Sequence, residues 1–167
     1  MSDLTHFDKQ GNAAMVDVSK KPTTARQATA TGRIRMCEKC YQTVRLGSVQ
    51  KGDVLGVARI AGIMAVKKTD SLIPLCHTLQ IEQATIDFSF DDPSCCIVAD
   101  CTVKSTGGTG VEMEALTGVS IALLTIYDMC KALDKDMEIG DIYLVAKAGG
   151  KSGAYRNKRS QPYAGRP

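Results

Sequence analysis

The sequence predicts an α+β domain in which one antiparallel sheet carries helices on a single face. Three observations carry that expectation. Two alternating apolar/polar runs, 79–90 and 95–104, flank the turn Asp91-Asp92-Pro93-Ser94 and read as a β-hairpin. A third alternating run begins at Arg26. Helix-length apolar patterns lie between and after them, the longest opening at Gly107-Gly108-Thr109-Gly110. A chain of 167 residues suits one domain with a sizeable core.

The elements follow in order. Residues 1–27 are polar and read as a partly mobile N-terminal segment, with a loop at Ser19-Lys20-Lys21-Pro22-Thr23-Thr24. From Arg26, Ala28, Ala30, Gly32, Ile34 and Met36 alternate with polar residues, as in a half-buried strand. Residues 37–46 read as a short helix stopped by Gly47. Asp53 is a plausible N-cap for a second helix that repeats Val54, Val57, Ala58, Ala61 and Ala65 and closes on Lys67 and Lys68. Gly56 and Gly62 lie inside it, at a cost of about 1 kcal/mol each, which predicts close packing against another backbone. Pro74 predicts an extended stretch over 71–77. The first hairpin strand slips out of phase near Gln83, as a bulge would make it do. The long helix is expected over about 110–136, with Thr109-x-x-Glu112 as a capping box. Gly140 should break the chain before a last strand at 142–146. The basic, glycine- and proline-bearing end, about 155–167, is expected to be a disordered tail. Strand, helices, strand, strand, helix, strand is the ferredoxin-like split βαβ order.

Composition narrows the function. With 21 basic against 18 acidic residues the net charge is +3, too mild to imply nucleic acid. No signal pattern is visible, and uncharged runs fall short of the roughly 20 residues of a spanning helix. The expectation is a soluble cytoplasmic protein with neither a nucleic-acid nor a membrane partner. Seven cysteines, an odd number without regular spacing, point to reduced thiols. Cys37-x-x-Cys40 lacks a second half at zinc spacing, so no metal site is expected. Gly149-Gly150-Lys151-Ser152-Gly153 looks like a P-loop but has Val145 where its first glycine should stand.

Charged groups at the ends of the long helix are the clearest chemical signal. Glu112 and Glu114 stand at its front, Asp128 and Lys131 near its end, and no charge lies between Glu114 and Asp128. A surface Asp/Lys pair would mean little. Flanked by Ile121, Leu123, Leu124 and Ile126, this pair is instead expected in a low-dielectric pocket suited to proton transfer. Glu114 and Asp128 would lie about 21 Å apart along the helix. An extended ligand, or a second subunit's helix running antiparallel, is needed to bring the two ends to one reaction. His77 is the one histidine outside the N-terminal segment, and its neighbour Cys76 points the opposite way in extended chain. Arg26, Lys51, Lys67, Lys147 and Lys151 could together bind a polyphosphate.

Six blocks carry a family resemblance. They are Lys51-Gly52-Asp53, Ala58-Arg59-Ile60-Ala61-Gly62-Ile63, Leu72-Ile73-Pro74-Leu75-Cys76-His77, Thr109-Gly110-Val111-Glu112-Met113-Glu114-Ala115-Leu116-Thr117, Ile126-Tyr127-Asp128-Met129-Cys130-Lys131 and Gly149-Gly150-Lys151-Ser152-Gly153. In this order, over roughly residues 4–154, the chain resembles the cyclic pyranopterin monophosphate synthase family, the C protein of molybdenum-cofactor biosynthesis. The resemblance implies a ferredoxin-like subunit, a hexamer built as a trimer of dimers, and active sites at the dimer interface. It implies a lyase that converts 3′,8-cyclo-7,8-dihydro-GTP, supplied by a radical GTP cyclase, to cyclic pyranopterin monophosphate and pyrophosphate. It implies Asp128, Lys131 and Lys51 as catalytic residues. Substrate contacts fall on Leu75, Cys76, His77, Glu112, Met113, Glu114 and Lys147, and Arg26 and Lys67 complete the expected binding set. No cofactor is required, although Mg²⁺ can accompany the triphosphate. The competing reading is an RNA-binding module on the same fold, for which the strands offer few stacking aromatics: Phe88, Phe90 and Tyr143.

Overall fold

A computed structural model describes residues 10–47, 49 and 52–160. The elements are β1 (Thr24–Arg35), α1 (Glu38–Arg45), α2 (Val54–Val66), α3 (Thr69–Leu72), β2 (Ile81–Asp91), β3 (Cys96–Gly107), α4 (Glu112–Cys130), β4 (Glu138–Ala148) and β5 (Tyr155–Arg156). The sheet order is β2-β3-β1-β4-β5, with every neighbouring pair antiparallel. β3 lies between β1 and β2, which is the split βαβ, ferredoxin-like arrangement expected.

Alternation builds the sheet. Ala28, Ala30, Gly32 and Ile34 of β1 and Ile97, Ala99, Cys101 and Val103 of β3 are buried on the helix side. α2 and α4 cover that face and pack on each other. Small residues set how closely they do so. A Cβ on Gly62 would fall 2.8 Å from the Gly118 carbonyl oxygen, and one on Gly118 would fall 2.8 Å from Cys101 Sγ. The glycine inside α2 is thus explained by backbone-to-backbone contact with α4. Gly56 serves the helix start instead: its N–H donates to Asp53 Oδ1 at 2.8 Å, and Asp53 is the N-cap foreseen. At the hairpin end, α1 sets Tyr41 edge-on to Phe90 at 5.6 Å and its hydroxyl on Asp92 Oδ1 at 2.6 Å.

Several boundaries differ from expectation. α4 ends at Cys130 rather than near 136: the Leu133 N–H reaches only three residues back, to the Cys130 carbonyl, and the chain leaves the helix in turns. Val111, not Thr109, is its N-cap, and no side chain caps it, so the capping box does not form. Gly140 lies within β4 rather than ahead of it. The irregularity falls just after it, where Asp141 takes φ of 49° and the β1–β4 register shifts. The extended stretch expected over 71–77 is not found: residues 69–72 form the short α3, only Ile73 before Pro74 is extended, and the Cys76 N–H closes a turn on the Ile73 carbonyl at 3.0 Å. The slip foreseen near Gln83 is present, between Ile81 and Gln83. The chain keeps order past 155, where Tyr155 and Arg156 pair with Lys147 and Ala146. The rest of the expected tail, 161–167, lies outside the described residues.

α4 is long and apolar enough to span a membrane by length and composition. Val119, Ala122, Leu123 and Ile126 are nevertheless fully buried, so it is the core helix of the domain. Gly62→Ala is expected to lower the unfolding free energy by about 1–3 kcal/mol through overpacking of this crossing, read as a shifted urea midpoint at unchanged m-value.

Candidate active site

β1 starts, β3 and β4 end, and α4 starts at the same edge of the domain, because Thr24 pairs with Gly107 and Gln27 with Ala148. Two adjoining cavities open there. The larger, about 1120 Å³, is lined by five cations, Lys20, Lys21, Arg26, Lys147 and Lys151, and one carboxylate, Glu112. The smaller, about 440 Å³, holds Leu75, Cys76, His77, Met113 and Glu114. Lys21, Thr109, Gly110 and Glu112 line both and join them. A cationic trough running into a narrower pocket suits a ligand with a polyanionic tail and a compact polar head.

At the junction, Lys147 Nζ donates to Glu112 Oε1 at 2.7 Å, with both side chains only about a quarter exposed (28% and 27%). The glycine before the helix makes this geometry available. A Cβ on Gly110 would fall 2.7 Å from Glu112 Cδ. The Arg26 Nε donates to the Gly107 carbonyl at 3.2 Å, which ties the guanidinium to the end of β3. The His77 ring is also engaged: Nε2 lies 2.8 Å from the Val16 carbonyl oxygen, so the N-terminal segment is held across the smaller cavity.

Glu114 is 4% exposed. Burial raises its pKa, partly countered by its own backbone N–H, and the nearby Glu112 and Asp70 charges raise it further. Burial likewise raises the Cys76 thiol, with Glu114 and Asp70 adding to the effect, so Cys76 is held as a neutral thiol. This discounts thiolate catalysis on physical grounds.

Eight of the expected site residues therefore meet at this edge: Arg26, Leu75, Cys76, His77, Glu112, Met113, Glu114 and Lys147. Others do not. Lys131 Nζ donates to Asp128 Oδ1 at 2.7 Å at the opposite end of α4, but the pair is exposed, 54% and 66%, and lines neither cavity. Among the described residues the pair therefore stands in the open rather than in the expected low-dielectric pocket. Leu124, Asp128 and Lys131 lie along the helix face turned away from the sheet, while Val119, Leu123 and Ile126 face it. The hydrogen bond that Lys131 donates to Asp128 raises the Lys131 pKa and keeps it charged. Lys67 is the exposed C-cap of α2 and lines neither cavity. Lys51 lies outside the described residues. Lys20 and Lys21 were legible only as a loop, although their position two residues before an extended run was the available signal. Among the described residues, no group of three or more His, Cys, Asp or Glu side chains is placed to hold a metal ion. The aromatic faces an RNA-binding sheet would need are occupied: Arg59 covers Phe88 at 5.5 Å, and Arg45 and Tyr41 cover Phe90, each at 5.6 Å.

A ferredoxin-like domain with a cationic cleft leading to a buried carboxyl group defines a class, the small-molecule enzyme acting on an anionic substrate, rather than a nucleic-acid reader. Within that class the assignment is specific. The chain belongs to the MoaC family, whose model matches residues 15–150. It is 56% identical over 155 residues to a protein of Heliobacterium modesticaldum, covering 93% of this chain and 98% of that one. It is 58% identical over 152 residues to one of Clostridium perfringens, covering 91% and 96%. It is 51% identical over 158 residues to one of Natranaerobius thermophilus, covering 95% and 99%. Each of these relatives is named cyclic pyranopterin monophosphate synthase. The resemblance read from the six sequence blocks is borne out.

The raised Glu114 pKa has a sign that can be checked. Folding favours its neutral form, so its contribution is fullest below the unfolded value near 4.5 and is lost as pH rises through the raised folded value. Glu114→Gln is therefore expected to be more stable than the parent at pH 8, with the difference in Tm shrinking as pH falls toward 4.5.

Proposed function

We propose that this chain acts as a cyclic pyranopterin monophosphate synthase, taking 3′,8-cyclo-7,8-dihydro-GTP to cyclic pyranopterin monophosphate and pyrophosphate. The observation that carries this reading is the pair of cavities joined at Glu112 and Lys147, one cationic and one ending on a buried carboxyl. The triphosphate lies among Lys20, Lys21, Arg26, Lys147 and Lys151. The base and sugar enter the smaller cavity beside His77 and Glu114. Closing the cyclic phosphate expels pyrophosphate, and the lysines and Arg26 stabilise the charge that leaves. Rebuilding a purine into a pterin moves several protons. Glu114, whose pKa burial raises, and the Asp128–Lys131 pair supply acid and base groups for that work. We assign Lys51 to the same proton-transfer set. The reaction uses no cofactor in this reading, and any Mg²⁺ travels with the substrate's phosphates.

The distance between the ends of α4 gives the assembly its role. α4 has 19 residues, about 28 Å of helix at about 1.5 Å per residue, so one substrate cannot span both ends. Val57, Ile60 and Met64 on α2 and Leu124 on α4 are large exposed apolar side chains on the helical layer. A two-fold contact through this strip would run the helices antiparallel and bring one protomer's Asp128–Lys131 end to the other's Glu112–Glu114 end. Three such dimers make the hexamer. The reading places the enzyme in the cytoplasm, fed by a radical GTP cyclase.

Purified Asp128→Ala is expected to lose at least about 100-fold in conversion of the cyclic nucleotide, measured by pyrophosphate release. Full conversion by that variant would refute the assignment. Co-expressing Asp128→Ala with Lys147→Ala, each inactive alone, should recover about a quarter of parental activity, because half the dimers are mixed and one site in each is intact. No recovery in mixed dimers would place both ends in one chain's site.

A further inference from the structure

Arg26 stands at the wall of the larger cavity in an unusual setting. Its Nε is committed to the Gly107 carbonyl at the end of β3. On its other side lies Gly150, in the turn after β4. A Cβ built on Gly150 would fall inside the guanidinium group, 2.9 Å from Nη2 and closer still to Nη1 and Cζ. The turn itself is fixed. Gly149 sits so close to β1 that a Cβ there would lie 3.1 Å from the Ala25 carbonyl carbon. The Gly153 N–H closes the loop on the Gly150 carbonyl at 3.1 Å, and β5 anchors its far side on β4.

We propose that Gly150 is a positioning residue for the reaction: its missing side chain leaves the space that the Nη1 end of the Arg26 guanidinium fills, and so aims Arg26 at the phosphate chain of the substrate. The inference rests on reading the larger cavity as the polyphosphate cleft. A long arginine side chain ordinarily loses much rotamer freedom when it grips a ligand. Here the Gly107 carbonyl holds Nε and the bare backbone of Gly150 makes room for the Nη1 end, so part of that ordering precedes the ligand. The φ of Gly150, +74°, is left-handed, but that alone does not account for the residue. Asparagine also adopts that region, yet it would bring the Cβ that the guanidinium excludes.

The experiment measures binding of inorganic pyrophosphate by calorimetry, together with kcat and KM for the cyclic nucleotide. The variants are Gly150→Ala, Gly150→Asn, Arg26→Ala and the doubles. Both Gly150 variants are expected to weaken pyrophosphate about tenfold and to raise KM rather than lower kcat. In the Arg26→Ala background, adding either Gly150 change should do nothing further. Gly150→Asn carries the Cβ while tolerating the left-handed backbone, so it keeps the test decisive if Gly150→Ala folds poorly. Parental pyrophosphate binding by Gly150→Asn, or a Gly150 loss that persists undiminished without Arg26, would overturn the proposal. If Arg26→Ala itself binds pyrophosphate like the parent, the polyphosphate reading of the cavity falls, and this inference with it.

Discussion

The close approach of α4 to its neighbours is the constraint on which the rest depends. At Gly62 and Gly118 there is no room for a methyl group between α2 and α4. At Gly32 a Cβ would lie 2.8 Å from Val119, Leu123 and Ile142. With the helix pressed so near β1, its first turn emerges level with the ends of β3 and β4. That alignment puts Glu112 within reach of Lys147, 35 residues away in sequence. A looser interface would let the helix slide, and the link between the two cavities would slide with it. Dense packing transmits position here because interiors pack like crystals and do not deform smoothly.

Glycine serves two purposes in this chain, and only one concerns the core. Gly32, Gly62 and Gly118 admit backbone and aliphatic groups, so filling them costs stability. Gly110 and Gly150 admit the charged tips of Glu112 and Arg26, which are flexible and could move aside. The second kind is the more informative about function. A cavity kept open for a charged tip stabilises nothing obvious, yet it decides where the charge sits. The cationic trough is thus shaped by residues that contribute no charge of their own.

Much of the fold was legible because it rests on periodicity. The alternation from Arg26, the hairpin around Asp92 and the helical repeat from Val54 each report which face is buried. The boundaries were less legible because they rest on single hydrogen bonds. A tight turn of Leu133 onto Cys130 marks the end of α4 six residues early, and no side-chain pattern announces this. The capping box failed because the helix begins at Glu112, which stands at its first position rather than its third and turns its carboxylate to Lys147. A lysine on a distant strand offers a charge-assisted bond that a local backbone N–H does not match. Lys20 and Lys21 were invisible as site residues for a related reason. Their cation is significant only once β1, β4 and α4 converge on it. Asp128 and Lys131 went the other way, since apolar neighbours in sequence do not imply burial when they face the opposite side of a helix.

Glu114 poses the sharpest energetic question. Its carboxyl is buried, and among the described residues no cation pairs with it. The neighbours that influence it, Glu112 and Asp70, are of the same sign and disfavour its charge further. Such a group lowers stability at neutral pH compared with an amide of the same shape, so packing does not explain it. Glu112, two residues earlier in the chain, has a cation beside it, Lys147, and Glu114 has no such partner among the described residues. A hydrogen-bond donor entering the smaller cavity would favour the charged form and reduce that cost. The folded chain therefore holds at Glu114 a cost that such a donor reduces, which raises the affinity for ligands with an N–H or O–H at that point over those without one.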